Sequence, residues 1–220
     1  MTSNIENEIG FILPDANFFS EICDWKGEEF GGWISPFVVQ RSSVFLDTKN
    51  FKLYRNNKVL SLVTNASLKE PNMNKVMFKI GKYEDNFRKE FNVFFKRGKD
   101  IDGYLNEIFL LAGEENLTKN LISQLVMKQK RYKRYFIEDN TKIFISIDSI
   151  SYFRPEDLNN IIGTIYICEI ETAEISVSVF VEEKIKELIN IIKTKYRGIS
   201  SNKSKYEHGL AFLSALEEAK

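Results

Sequence analysis

The sequence is poor in the residues that most often carry chemistry. It has two cysteines, Cys23 and Cys168, and one histidine, His208, in 220 residues. That excludes a disulfide scaffold of the secreted type and a zinc site built from His and Cys. A Ser-His-Asp triad would have to use His208, which lies in the polar run Lys205-Tyr-Glu-His-Gly. No Gly-rich phosphate loop of the Walker or Rossmann kind occurs. No run approaches the ~20 apolar residues of a membrane span. The opening Met1-Thr-Ser-Asn-Ile-Glu-Asn-Glu lacks the apolar stretch of a signal peptide, so a cytoplasmic setting is expected. An excess of one charge is missing too. The 31 Lys+Arg balance 31 Asp+Glu, which leaves no global pull toward nucleic acid or anionic lipid. Any chemistry must come from carboxylates, Lys, Arg and a hard metal ion.

Aromatic residues are plentiful, and 18 Phe can fill the core of one domain. Ile5–Leu13 reads as a first strand. Pro14-Asp15 then open a helical stretch with Phe18, Phe19 and Ile22 on one face, which Gly27, Gly31 and Gly32 break. Strand character follows at 37–47, at Val59–Val63 after a turn at Asn56-Asn57, at Lys75–Ile80 and at Arg88–Phe95. Helical spacing appears at 103–112 and again through Leu117, Leu121 and Leu125. Strands return at Tyr132–Glu138, Lys142–Ile150 and Thr164–Ile175. A helix is expected near 181–197 and a short one near Ala211–Glu218. Strands next to strands indicate an antiparallel α+β domain, for which a closed barrel is one solution.

Several strands carry charges at alternate positions: Glu6 with Glu8, Arg88 with Glu90, and Glu169 with Glu171. Alternation puts each pair on one face of its strand, with apolar neighbours such as Ile5, Ile9, Cys168 and Ile170 on the other. The ordinary explanation is a sheet with one wet and one dry face. The alternative is an inverted barrel, with charged faces lining a polar tunnel and apolar faces outside beneath helices. Such a tunnel would hold a cation on its carboxylates and phosphates on its Lys and Arg. Lys128–Arg134 can also be read as a solvated basic strand able to touch nucleic acid.

In order along the chain, Glu6-Asn-Glu8, Val44-Phe-Leu-Asp-Thr48, Phe78-Lys79, Arg88-Lys-Glu90, Tyr132-Lys-Arg134, Ile145-Ser-Ile-Asp148, Glu169-Ile-Glu171 and Ser204-Lys-Tyr206 resemble motifs of the CYTH, or triphosphate tunnel metalloenzyme, superfamily. The last of these is similar to the C-terminal segment of its polyphosphate-polymerase (VTC) branch. The resemblance implies an eight-stranded antiparallel tunnel β-barrel with helices packed outside. It spans residues 1–200, with a C-terminal segment and short helix, 201–220, packed on the same domain. It implies Mg²⁺ or Mn²⁺ held by Glu6, Glu8, Asp148, Glu169 and Glu171. Phosphate would be gripped by Lys79, Arg88, Arg134 and Lys205, and Glu8 would orient or deprotonate the attacking water. The implied partner is a phosphorylated small molecule or polyphosphate, with neither membrane nor nucleic acid expected.

The sequence also departs from the pattern. Gly10 stands where the family has Lys, Ser61 and Val63 where it has two Arg, and Asn92 where it has Glu; Arg55, Lys58 or Lys75 are candidates to compensate. Two functions follow: metal-dependent hydrolysis or transfer at a triphosphate-containing substrate, or a non-catalytic tunnel that binds polyphosphate or nucleotide as sensor or scaffold. A barrel for an apolar ligand would conflict with inward charges.

Overall fold

In a computed structural model, residues 2–66, 71–82, 87–95, 100–114, 120–172 and 178–218 are described; at 2–7, 66, 71–73 and 87 only the backbone is. The strands are β1 (Thr2–Leu13), β2 (Ile34–Thr48), β3 (Lys58–Ala66), β4 (Pro71–Ile80), β5 (Phe87–Phe95), β6 (Leu121–Glu138), β7 (Thr141–Arg154), β8 (Asp157–Thr172) and β9 (Ile199–Ser201). The helices are α1 (Ala16–Asp24), α2 (Lys52–Arg55), α3 (Ile101–Leu111), α4 (Val179–Thr194) and α5 (Lys205–Glu218). Every strand pairing is antiparallel, in the order β5-β4-β3-β2-β6-β7-β8-β1-β9. β1 also pairs β5 through Thr2–Asn7 while its second half pairs β8, so the eight long strands run round a common bore. The ninth strand, three residues long, adds only to the edge of β1 at Gly10–Ile12.

Most of the apolar core lies outside the strand ring. Ile143, Ile145 and Ile147 of β7, Cys168 and Ile170 of β8, and Phe11 of β1 are buried under Ile22 of α1 and Val181, Leu188 and Ile192 of α4. On another side, Leu60, Val76, Phe78 and Val93 are buried under Leu105, Ile108 and Phe109 of α3. Both helical stripes have the i, i+3, i+4 spacing that matches an apolar sheet face. Burying the outward strand residues in this way leaves the inward ones free to be polar. A third cluster lies inside one end of the barrel: Phe45, Leu125, Met127, Ile150, Tyr152 and Ile167, closed by Tyr206 of α5.

Two expectations are corrected. Leu121 and Leu125 belong to strand β6, not to a helix; Leu117 lies outside the described residues. Leu125 and Met127 face the apolar plug while Val126 is buried on the opposite face. With both faces dry, the run loses its period-2 signature and a chance i, i+4 spacing of Leu stands out. Helix α5 starts at Lys205, six residues before the apolar run at Ala211, because Glu207 and Ser204 cap it reciprocally: Ser204 N–H donates to Glu207 Oε2 at 2.6 Å and Glu207 N–H to Ser204 Oγ at 3.3 Å. Among the described residues the short β9 adds a ninth strand to the eight expected for the barrel. Among the described residues no helix is long and apolar enough to cross a membrane.

Candidate functional site

Residues opposed in a ladder point to the same face, so the register identifies what faces the bore. From β1 comes Glu8, from β8 Glu169 and Glu171, and from β6 Gln129, Arg131 and Lys133. Lys75 and Lys79 come from β4, Arg88 and Glu90 from β5, and Arg41 from β2; Lys205 enters from the first turn of α5. They surround a cavity of about 230 Å³, lined by seven cationic side chains and four carboxylates.

The charges are interleaved. Arg88 Nη2 donates to Glu8 Oε1 at 2.5 Å. Arg131 donates to both oxygens of Asp148 at 2.8 and 2.7 Å and to Glu169 at 2.7 Å. Lys205 bridges Asp148, at 3.3 Å, and Glu169. Lys133 pairs Glu171 at 3.0 Å nearer the rim. Glu90 takes Lys79 at 3.1 Å, Lys75 at 3.5 Å and the amide of Asn92 at 2.6 Å.

Such packing shifts titrations. Burial pushes the Glu8 carboxyl upward, but the charges of Lys79, Arg88, Lys205 and Arg131 outweigh it and hold the pKa below the ordinary carboxylate value. Asp148 shows the same contest, burial against Arg131 and Lys205, and is held at about 2. A carboxylate so stabilised in its charged form is a weak proton acceptor and a good electrostatic ligand. Glu8 is thus suited to orienting a water or cation more than to deprotonating one.

Of the residues singled out from the sequence, Glu8, Lys79, Arg88, Glu169, Glu171 and Lys205 line the bore, and Asp148 is wholly buried in its wall. The backbone of Glu6 stands opposite Arg88, and its side chain lies outside the described residues. The expectation for Arg134 is corrected: it points out of the barrel. Its guanidinium donates to the carbonyls of Ile22, Cys23 (3.1 Å) and Trp25 (2.7 Å) and packs on the Trp33 ring, 4.9 Å to its centre. It thereby satisfies carbonyls left open at the C-terminus of α1. Arg131 and Lys133 hold the inward positions instead; Arg131 opposite Asp148 in the β6–β7 register is the signal that separates the two parities. Ser61 and Val63 face the bore from β3 and bring no charge. Lys75 on the adjacent strand does; Arg55 is exposed and Lys58 pairs Glu114 at 2.5 Å away from the cavity lining. Arg41, which shares the parity of Ser43 and Phe45 on β2, was not singled out.

Among the described residues no three carboxylate, His or Cys side chains converge on one point. Glu8 and Glu171 are direct cross-strand partners, with Gly10 and Glu169 the next pair along. An all-oxygen pair of this kind fits a hard cation such as Mg²⁺, which is commonly held by one or two carboxylates together with substrate phosphates.

No protein-family model matches the sequence, and no curated protein does. Solved structures match over nearly the whole chain. HpAC1 from Hippeastrum, described as a putative adenylyl cyclase with a dominant triphosphatase activity, superposes with TM-score 0.64 at 15% identity over 94% of this chain and 95% of its own. PH1819 from Pyrococcus horikoshii gives 0.56 at 16% over 93% and 98%. A putative adenylate cyclase from Bacillus halodurans gives 0.52 at 15% over 88% and 91%. The chain has the CYTH, or triphosphate tunnel, fold. At these identities the likeness is one of fold.

Proposed function

We propose that the protein is a divalent-metal-dependent phosphohydrolase or phosphotransferase acting on a triphosphate-containing compound: inorganic triphosphate, polyphosphate or a nucleoside triphosphate. The observation that carries this reading is the convergence of seven cationic side chains and four carboxylates on one enclosed bore. A polyanion is the ligand that such a cation ring can desolvate around, and the activity described for HpAC1 is of the same class.

In this reading Lys79, Arg88, Arg131, Lys133 and Lys205 exchange their carboxylate partners for phosphate oxygens when the chain of phosphates enters. Each exchange trades one charge-assisted hydrogen bond for another, so the bore is prepaid for its ligand. Freed carboxylates, Glu8 and Glu171 foremost and with them Glu6, would hold Mg²⁺ or Mn²⁺. The metal would neutralise charge on the phosphates and polarise them. Glu8, kept ionised by its neighbours, orients the attacking water. Lys and Arg around the transferred phosphoryl stabilise the charge that spreads over its equatorial oxygens.

A second reading, a sensor or scaffold that binds the same ligands without turnover, is favoured by one observation: β3 contributes Val59, Ser61 and Val63 to the bore and no cation. Phosphate release from triphosphate, polyphosphate and ATP, with Mg²⁺ or Mn²⁺, decides between them. The hydrolase reading requires turnover that falls by roughly 100-fold or more in Glu8→Gln. Metal-dependent binding with no turnover of any of the three selects the scaffold.

A further inference from the structure

Three neighbouring strands place Asn65, Arg41 and Gln129 side by side: Arg41 is the register partner of Asn65 on β3 and of Gln129 on β6. Arg41 and Gln129 line the cavity. Each of the three carries a buried polar atom with no hydrogen-bond partner among the described residues: Asn65 Oδ1, Arg41 Nε and Gln129 Nε2. The other cations of the bore are the opposite case, since Arg88, Arg131, Lys133, Lys205, Lys75 and Lys79 each sit on a carboxylate.

Arg41 is half-buried with its Nε enclosed, and among the described residues its guanidinium makes no ion pair, an arrangement that carries a desolvation cost. Burial, with Arg131 nearby, pushes the Arg41 pKa down to about 10. Asp148, Glu169 and Glu90 are near enough to be felt, but none is in contact with it. The row offers two donors held on rigid strands, plus an amide that presents either an oxygen or an NH₂ group after a half-turn of its last torsion. What it lacks is an acceptor with negative charge.

We propose that Arg41, flanked by Gln129 and Asn65, is a second anion subsite in the bore and seats the terminal phosphate of the substrate chain. This rests on the phosphate-ligand reading above and narrows it. The terminal phosphate of a chain has three acceptor oxygens and up to about two negative charges; an inner phosphate has one charge. The group with the most charge goes to Arg41, which among the described residues has no carboxylate to displace, through its planar donor fork. The inner phosphates lie toward the paired cations around Glu8. Arg41 on β2 and Glu8 on β1 stand four strands apart in either direction round the ring, so a ligand that reaches both must cross the bore, and in this proposal it is the third phosphate that does so. Arg41 therefore selects for length, and it supplies from β2 a cation that Ser61 and Val63 do not supply from β3.

The test is calorimetric titration of the full chain with orthophosphate, pyrophosphate and tripolyphosphate, with and without Mg²⁺, on the unsubstituted protein, Arg41→Gln and Gln129→Leu. Arg41→Gln is expected to weaken tripolyphosphate by roughly 10-fold or more while pyrophosphate changes by less than about 2-fold. Gln129→Leu should weaken tripolyphosphate several-fold in the same selective way. In thermal melts Arg41→Gln should raise the Tm of the ligand-free protein, by removing an unpaired charge, and shrink the rise that tripolyphosphate causes. A purely structural arginine would give a lower Tm and an unchanged ligand shift. Unchanged tripolyphosphate affinity in both variants overturns the subsite, as does an equal loss for pyrophosphate and tripolyphosphate. If Arg41→Gln does not fold, Gln129→Leu decides: a selective loss of tripolyphosphate affinity keeps the subsite, and an unchanged affinity overturns it. Arg41-dependent binding without turnover keeps the subsite and removes the hydrolase. Turnover that ignores Arg41 does the reverse.

Discussion

Arg131 grips Asp148 with two parallel hydrogen bonds, Nε to Oδ1 at 2.8 Å and Nη2 to Oδ2 at 2.7 Å, and the carboxylate has no exposed surface. The same Nη2 reaches Glu169, so one guanidinium laces β6, β7 and β8 together inside the barrel. Fork-to-carboxylate geometry of this kind is what makes a buried pair tolerable.

Asp148→Asn keeps the shape and removes the charge that Arg131 needs. Breaking a buried pair from one side typically costs about 3–5 kcal/mol, and urea unfolding should show a loss of that order. The pH dependence has a definite sign. Asp148 is held at about 2, below its ordinary value of 3.8. Its contribution to stability is therefore complete above pH 3.8 and is lost as pH falls toward 2. Unfolding midpoints between pH 5 and pH 2 should slope less in Asp148→Asn than in the unsubstituted protein. Equal slopes would mean that Asp148 titrates normally.

Why the sequence yields some of this and not the rest follows from period 2. Glu169 and Glu171 flank Ile170, and Cys168 precedes them; the alternation is clean because one face meets α1 and α4 and the other meets the bore. β6 gives no such signal. Lys128, Lys130, Arg131, Lys133 and Arg134 put positive charge on both parities, so one residue of slip exchanges Arg134 for the pair Arg131 and Lys133. Only the partner strand decides, through Arg131 opposite Asp148. Arg41 was hidden for another reason. It is one charge on a strand otherwise lined by Ser43 and Phe45, and an isolated Arg carries no pattern.

Arg134 gives the contrasting expectation. Its work is on the carbonyls of α1, outside the bore. Arg134→Leu should lower stability by roughly 1–3 kcal/mol, since buried acceptors lose charged donors, and leave tripolyphosphate affinity unchanged at temperatures where the variant is folded. Lys133→Met should do the converse, weakening phosphate binding with little change in Tm, because its pair with Glu171 is partly solvated. Titration beside denaturant unfolding separates the two. Weaker phosphate binding in Arg134→Leu would contradict the assignment of parity.

Metal binding isolates the carboxylates. Glu8 and Glu171 face each other across the β1–β8 ladder. Glu171→Gln should weaken Mn²⁺ in the presence of tripolyphosphate by roughly 10-fold or more, while phosphate binding without metal is unchanged or tighter, because Lys133 is released. Since its neighbours depress the pKa of Glu8 below 4.5, the part of metal affinity that depends on Glu8 should persist down to that pH and fall only below it. A loss centred between pH 5 and pH 6 would assign the metal to other groups.

Helix α5 links packing to chemistry. Lys205 reaches Asp148 and Glu169 from the first turn, and Tyr206 stacks on Phe45 with ring centres 4.8 Å apart. One turn on, Gly209 lies flat against the barrel end: a Cβ there would collide with Leu125 and stand 2.8 Å from Tyr152. Tyr152 cannot retreat, because it is fully buried and its hydroxyl donates to the Lys205 carbonyl at 2.7 Å. Gly209→Ala must therefore lift the helix, at a cost of about 1–3 kcal/mol for overpacking. The same movement pulls Lys205 out of the bore, so tripolyphosphate affinity should fall together with Tm. Tyr206→Phe tests the other half of the argument. Its hydroxyl is buried without a partner among the described residues, so removing it should leave Tm unchanged or raised and leave the Lys205 contacts in place. Should Gly209→Ala lower Tm but bind tripolyphosphate normally, Lys205 would not depend on the seating of α5, and the helix would be a plug with no part in the site.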